Sequence, residues 1–495
     1  MIISAFDGIW TFFHFCAMIC GRTVQFAIAS PPAICYNQGG FPRGASARIR
    51  QRRERKMLMS SYVTRKTPGD TAWFTHDRFG MFIHWGLYAM PARHEWVKNR
   101  ECTPEAHYDK YFKYFNPDLY DPKEWARQAK AAGMKYVVLT SKHHEGFCMF
   151  DSKYTDYKCT NTPAGRDLVR EYVDAFRAEG LRVGFYYSLI DWHHPDFPID
   201  RLHPRRNDPD AEAQNQGRDI KKYAEYMRNQ VTELLTNYGK IDILWFDFSY
   251  SRPDPNDKPW MKGKGKEDWE AEKLIALARS LQPDIIIDNR TEIEQDIWTP
   301  EQWQPTEWVR HQETGELVTW EACQTFSGSW GYYRDETSWK SPEMLIRMLV
   351  NTVSCGGNLL MNVGPTARGY FDYRAEEALK VYADWMKYNS RSIYGCTQAE
   401  PEFKAPADCR LTQSVDGRRL YIHLFAYPFA HLQVRGLAGK IDYAQFLNDA
   451  SEVKFSEGKI RHFGEGLPEN DDMVVFELPP VKPHTLVPVI EIFLK

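Results

Sequence analysis

Ile241–Asp247 reads IDILWFD, a nearly unbroken apolar run, rich in β-branched and aromatic residues, that ends on a carboxylate. Such continuous hydrophobicity over so short a stretch marks a strand buried on both faces, whereas a half-solvated strand alternates. An ionised carboxylate closing the run is costly unless its surroundings supply partners. Asp247 is therefore either part of a built site or a helix N-cap or salt bridge at a strand end. Six further runs share this character: Gly80–Trp85 (GMFIHW), Lys135–Ser141 (KYVVLTS), Leu181–Ser188 (LRVGFYYS), Asp284–Arg290 (DIIIDNR), Val318–Gln324 (VTWEACQ) and Asn358–Gly364 (NLLMNVG). Helical patterns with readable ends separate them. Asp121–Pro122 and Ser341–Pro342 offer an N-cap followed by an N1 proline, and the amphipathic stretch Asp167–Glu179 stops at Gly180. Strand-then-helix alternation of this kind predicts an α/β protein, a (β/α) TIM-like barrel of ordinary size. An open doubly wound sheet is the alternative, but no G-x-G-x-x-G or GxxxxGK[ST] turn follows any of the strands.

After about Gln398 the helices stop. Arg419–Phe425, Ala430–Val434, Ile441–Phe446, Met473–Leu478 and Val487–Leu494 read as consecutive strands, which predicts a small C-terminal antiparallel β-sandwich. The first 56 residues are unlike either part. They hold eight Lys and Arg against two acidic residues; 63 less 8 basic and 66 less 2 acidic residues leave the remainder at a net charge of −9, where the whole chain carries −3. Residues 1–64 are accordingly read as a leader, disordered or belonging to a mis-assigned start, 65–397 as the barrel and 398–495 as the sandwich. With 495 residues, 43% hydrophobic and 26% charged, the chain is a globular protein whose charge gives no reason to expect a nucleic-acid or membrane partner. A homo-oligomer is compatible with all of this. Ten scattered cysteines without a CxxC pair are not a disulfide framework, and with no convincing leader they favour a reducing, cytoplasmic setting over a secreted or periplasmic one.

Barrel enzymes build their sites where the strands end. Here the ends carry His84–Trp85–Gly86 with Glu95–Trp96 beyond, His143–His144–Glu145, Tyr186–Tyr187, Trp245–Phe246–Asp247 and Asn289–Arg290. Indole and phenol faces beside imidazole, carboxylate and guanidinium groups suit a sugar, which offers C–H faces and fixed hydroxyls. Adjacent histidines on a strand point to opposite faces, and no HExxH spacing accompanies them, so His143 and His144 are read as sugar-hydroxyl ligands rather than metal ligands. No metal or organic cofactor is expected. Cys323 and Cys355 lack a motif and an evident base and are read as packing residues. The sequon Asn289–Arg290–Thr291 falls at the barrel mouth, where a glycan would block the site.

Taken together, FIHWG, the Glu95–Trp96 pair, KHHEGF, FYYS…DW, LWFD, WEACQTFSGSWGY and GGNLLMNVGP, in this order between about Trp73 and Cys396, resemble the α-L-fucosidases of glycoside hydrolase family 29. That resemblance implies a retaining exo-fucosidase acting on fucosylated glycans or oligosaccharides. It places the nucleophile on Asp247 and the fucose-binding positions on His84, Glu95, Trp96, His143, His144, Tyr186, Trp245 and Arg290. Members with a D-[F/I]-x-T-x-E string use its glutamate as acid/base, and Asp296–Glu301 (DIWTPE) fits it, which selects Glu301 over Glu292, Glu294 and Glu307. The chain departs from many members in having Phe246 where they have asparagine, and Asp288–Asn289–Arg290–Thr291 where they read N-D-R-W. Trp245 or Phe246 is expected to help form the apolar recess for the methyl at C5, and the loops Pro195–Gly217 and Ser251–Lys266 to line the aglycone side. Two other readings stay open: a fucose-binding protein without turnover, and a glycosidase for an isosteric sugar such as a galactoside.

Overall fold

The structure, a computed structural model, describes residues 62–457 and 472–495. The expected leader lies outside the described residues except for Tyr62–Thr64; there the Tyr62 ring stacks on Trp308 at 5.6 Å and Thr64 bridges Leu317. Seven parallel strands form one curled sheet: β1 (Phe79–Ile83), β2 (Tyr136–Lys142), β3 (Arg182–Ser188), β4 (Ile243–Asp247), β5 (Ile286–Ile287), β6 (Glu321–Thr325) and β7 (Asn358–Val363), ordered β5-β4-β3-β2-β1-β7-β6. Each falls within or beside one of the seven runs read as strands. Asp121, Asp167 and Ser341 do cap the helices that follow them, accepting from Lys123 N and Glu124 N, Arg170 N and Met344 N.

Between β5 and β6 the barrel has an irregular eighth stave that the apolar pattern did not reveal. Ile297–Glu301 makes single parallel bridges, Asp288 to Ile297, Trp298 to Trp320 and Glu301 to Cys323, in place of a ladder. Pro300 has no N–H to donate, which is one reason no regular strand propagates there. Glu301 is thus carried by the barrel wall itself.

Alternation along the strands decides which residues face inward. In β4, Ile243 and Trp245 join an interior cluster with Phe82, Tyr136, Val138, Tyr186, Ile286, Ile297, Cys323 and Leu360, while Leu244 and Phe246 pack outward with the helix layer. Asp247 shares the inward parity and closes the series at the mouth. Beneath it, Glu321 accepts from Tyr136 Oη at 2.5 Å and Trp245 Nε1 at 3.3 Å, and burial pushes its carboxyl up to about 7.

The C-terminal part is a five-stranded sheet, ordered β12-β15-β10-β9-β8, facing a three-stranded one, β11-β14-β13, around its own apolar core. Its strands are β8 (Cys396–Gln398), β9 (Cys409–Ser414), β10 (Arg419–Leu424), β11 (His431–Arg435), β12 (Ile441–Phe446), β13 (Phe455–Glu457), β14 (Met473–Glu477) and β15 (Val489–Leu494). β8, β9 and β13 have no clear apolar pattern. In β9, Thr412 and Gln413 are buried polar residues, Thr412 being held by Ser392 O and the His423 ring.

Arg78, buried and in the left-handed backbone region, joins barrel to sandwich by donating Nε to Cys396 O at 2.9 Å and Nη1 to Gly356 O at 2.7 Å. Arg78→Ala would strand both carbonyls, and a loss of about 2–5 kcal/mol is expected in urea unfolding. A loss below about 1 kcal/mol would show that this joint is dispensable.

Candidate active site

At the C-terminal ends of the strands lies a cavity of about 170 Å³. All ten residues singled out in the sequence line it: His84 after β1, Glu95 and Trp96 in the next loop, His143 and His144 after β2, Tyr186 in β3, Trp245 and Asp247 in β4, Arg290 beyond β5, and Glu301 on the eighth stave. A larger cleft, about 740 Å³, lies between the N-terminal side of the barrel and the sandwich, and none of these residues lines it. Size does not locate the chemistry here; the strand ends do.

Asp247 is held through both carboxylate oxygens. Tyr186 Oη donates to Oδ2 at 2.7 Å and Arg290 Nη1 to Oδ1 at 3.0 Å, while His144 Nε2 stands 3.9 Å from Oδ2. Burial raises its carboxyl to about 6; the Glu301 charge adds to the rise, and Arg290 and the Tyr186 hydroxyl oppose it. Arg290 is held from all sides. Nε donates to Thr299 Oγ1 at 3.0 Å, and Nη2 donates to Thr299 O at 3.1 Å and to Glu301 Oε2 at 2.6 Å. The guanidinium also lies over the Trp245 ring, 4.5 Å from its centroid. One cation therefore spans both carboxylates.

From the sequence, the imidazoles are expected to donate to sugar hydroxyls and to Asp247; the partners of His84 and His144 favour the opposite sense. His84 Nδ1 pairs with Asn362 Oδ1 at 2.6 Å, which requires an Nδ1–H. Ser188 Oγ donates to Ile190 O at 2.8 Å and so accepts from His144 Nδ1 at 2.7 Å. Burial pushes His84 down to about 3 and holds His143 and His144 well below their ordinary range. In His84 and His144 the neutral ring is protonated on Nδ1, which leaves Nε2 an acceptor; His143 Nδ1 has no hydrogen-bond partner among the described residues. The donors to Asp247 are Tyr186 and Arg290. His143 and His144 also do not point apart. They lie just past β2, in a turn closed by Gly146 N to His143 O, with ring centroids 4.0 Å apart. Gly146 has φ +85°, and a Cβ there would stand 2.2 Å from Asp191 Oδ1, so the turn needs glycine. Behind it, buried Asp191 pairs with Lys142 at 3.0 Å and caps His193 N and His194 N.

Glu95 is buried and accepts from Gly331 N at 2.8 Å; burial raises its carboxyl. Trp96 meets the His144 ring edge-on at 4.9 Å. Three lining residues were not foreseen: Phe82, Phe248 and Trp330. Phe82 is two residues before His84 and shares its inward parity, so the signal was present. Trp330 was visible inside WEACQTFSGSWGY; its ring lies 5.1 Å from that of His84. Phe248 had no signal, because it faces the cavity only through its φ of +82°, a conformation costing about 1–3 kcal/mol in a bulky residue. It takes the place expected of Phe246, which packs outward among the helices. Of the other glutamates, Glu292 accepts from Ser251 and Lys266 N, Glu294 pairs with Arg65 and His311, and Glu307 is exposed; none lines the cavity. At the sequon, Thr291 is buried and Asn289 Oδ1 accepts from Thr299. Among the described residues no group of three or more His, Cys, Asp or Glu side chains is placed to hold a metal ion.

Paired carboxylates at the mouth of a (β/α) barrel, with rings on every side and an accepting imidazole wall, define the class: a glycoside hydrolase. Residues 46–391 match the α-L-fucosidase family, and the chain belongs to it. Human plasma α-L-fucosidase is 31% identical over 357 residues, 65% of this chain and 69% of its own length. α-L-Fucosidase isoenzyme 1 from Paenibacillus thiaminolyticus superposes with a TM-score of 0.77 at 45% identity, covering 86% of this chain and 98% of that one. A fucosidase from Bacteroides thetaiotaomicron, solved as a trapped covalent intermediate with 2-fluoro-fucosyl fluoride, gives a TM-score of 0.72 at 27% identity and covers 88% of this chain and 98% of that one.

Tyr186→Phe removes a donor from ionised Asp247, which disfavours the charged form and raises its pKa. A hydrogen bond to a charged group, worth about 1.5–3 kcal/mol, corresponds to a rise of about one pH unit or more in an isotope-edited titration of this carboxyl. An unchanged midpoint would mean that Arg290 alone sets its ionisation.

Proposed function

We propose that this chain is a retaining exo-α-L-fucosidase that removes terminal α-linked L-fucose from glycans or oligosaccharides through a covalent fucosyl–enzyme intermediate. The observation that carries the reading is the Arg290 bridge, Nη1 to Asp247 and Nη2 to Glu301. One guanidinium touching both carboxylates favours the short separation of retaining hydrolysis, about 5–5.5 Å, over the about 6.5–9.5 Å that leaves room for a water in inverting enzymes. The cavity, about 170 Å³, is smaller than the about 300–1,000 Å³ of drug-sized pockets and suits one sugar ring, which supports exo action.

Asp247 attacks the anomeric carbon as a carboxylate steadied by Tyr186 and Arg290, and the C1–O bond to the leaving group breaks as the ester forms. Glu301 gives its proton to the departing oxygen. Left as a carboxylate by that transfer, Glu301 then deprotonates the incoming water. Water then cleaves the ester and restores both groups. His84 and His144 accept hydrogen bonds from sugar hydroxyls and, with His143 beside them, convert sugar binding into orientation at C1. Trp245, Phe248 and Trp330 supply the apolar faces against which a C5 methyl rests. A galactoside would bring a hydroxyl to that same wall, which favours the deoxy sugar, and the presence of both carboxylates favours turnover over binding alone. The seven cysteines among the described residues are unpaired, in keeping with a reducing compartment.

Asp247→Ala is expected to lose more than about 1000-fold in kcat on an aryl α-L-fucoside while remaining folded. Turnover near that of the parent enzyme would remove the assignment. With Glu301→Ala, azide should restore activity on a substrate with a good leaving group, since azide needs no general base. If azide instead rescues Glu292→Ala or Glu294→Ala, the acid/base role moves there.

A further inference from the structure

Cys323 stands in the middle of β6 with its side chain in the barrel interior, fully buried. Its Sγ is 3.6 Å from Glu301 Oε2, 3.7 Å from Arg290 Nη2 and 3.5 Å from Pro300 O. The backbones are joined as well, since Glu301 bridges Cys323 and Gln302 N donates to Cys323 O at 3.1 Å. Every hydrogen bond and ion pair to the Glu301 carboxylate among the described residues falls on one oxygen, Oε2: the guanidinium at 2.6 Å and the thiol at 3.6 Å.

We propose that Cys323 is a positioning residue for the acid/base: its thiol and Arg290 together fix Glu301 Oε2, so that Oε1 is the oxygen that carries the proton to and from the substrate. This rests on Glu301 being the acid/base. The chemistry is a division of labour between two atoms of sulfur's reach. The S–H donates to Oε2 or, when Oε2 is better served by Arg290, to Pro300 O; the sulfur lone pair receives Arg290 Nη2–H. Half of the Glu301 side chain is exposed, so without contacts of this kind it would sample several rotamers. Burial, with the Glu301 charge next, keeps the thiol far above its ordinary pKa, so it stays a donor rather than adding a third negative charge. A thiol donor is weak enough to allow Glu301 to cycle between acid and carboxylate, where a hydroxyl would favour the carboxylate more strongly.

The test uses kcat/KM, which reports the glycosylation step, for Cys323→Ala and Cys323→Ser over a series of aryl α-L-fucosides. A loosely held acid harms substrates that need protonation and spares those that do not. Cys323→Ala is expected to lose about tenfold on phenyl fucoside and less than about twofold on the 2,4-dinitrophenyl analogue. Losing a donor to the carboxylate disfavours its ionised form, so the basic limb on phenyl fucoside should move up in Cys323→Ala and down in Cys323→Ser. Equal losses across the series with an unmoved limb overturn the proposal and leave Cys323 as packing. Cys323→Ser, the smaller perturbation, keeps the test open should the alanine variant fold poorly. Glu301→Gln separates the two readings: loss of the basic limb identifies it with Glu301, whereas a limb that survives overturns the acid/base assignment and this inference with it.

Discussion

Two carboxylates facing one small, largely buried cavity repel each other, and their coexistence depends on Arg290. At an effective dielectric of about 20, like charges about 5 Å apart cost about 3 kcal/mol, enough to move a pKa by about two units. Asp247 shows the balance directly, raised to about 6 by burial and by Glu301 but held from rising further by the guanidinium and Tyr186. A third carboxyl, Asp288, lies close behind. It is fully buried, it accepts from Phe246 N and Arg290 N through Oδ1, and Oδ2 has no hydrogen-bond partner among the described residues. Burial pushes it well above the usual carboxylate range. In its neutral form it leaves the whole cation to Asp247 and Glu301.

That guanidinium is in turn supported from beneath. Its plane lies over Trp245, which stacks on Tyr186 at 5.9 Å and donates its indole N–H to Glu321 on the barrel floor. Glu321 also receives the Tyr136 hydroxyl, and Tyr136 fits because Gly80 opposes it: a Cβ at Gly80 would stand 2.3 Å from the ring. The site is therefore the top of a column of inward side chains, each placed by strand alternation. This explains why residues as far from the chemistry as Gly80 are under steric constraint.

Much of this column could be read in the sequence, because buried parallel strands announce themselves as continuous apolar runs and their ends carry the polar groups. The seven strands and ten of the cavity-lining residues were legible on that basis together with the family likeness. What was not legible follows from interactions that leave no periodic mark. The eighth stave hides because Pro300 and single bridges replace a ladder. Phe248 lines the cavity where Trp245 or Phe246 was expected to form the apolar wall, because a positive φ at Phe248 breaks the alternation; Trp245 does line it. The protonated nitrogens of His84 and His144 depend on Asn362 and Ser188, partners brought in from other strands. β9 escaped because buried Thr412 and Gln413 satisfy themselves through hydrogen bonds rather than apolar contacts.

The two long loops that were expected to shape the aglycone side are one unit. Asp200, buried in the first, meets both Lys264 of the second and the hydroxyl of Tyr250, the residue just before it, and Arg201 pairs with Asp257 at 2.5 Å. Burial lowers Lys264 and the Asp200 charge opposes that effect, so each member of this cluster depends on the others. The unit reaches the cavity by a chain of rings: Tyr250 packs on Phe248 at 5.7 Å, and Phe248 on His144 and on Trp96, each at 5.1 Å. Phe248 is thus pressed between the cavity wall and the loops, and its strained backbone is held by contacts on both sides. Loop sequence and cavity shape are consequently not independent. A change in Asp200 or Tyr250 acts on the cavity wall through Phe248, even though neither residue lines the cavity.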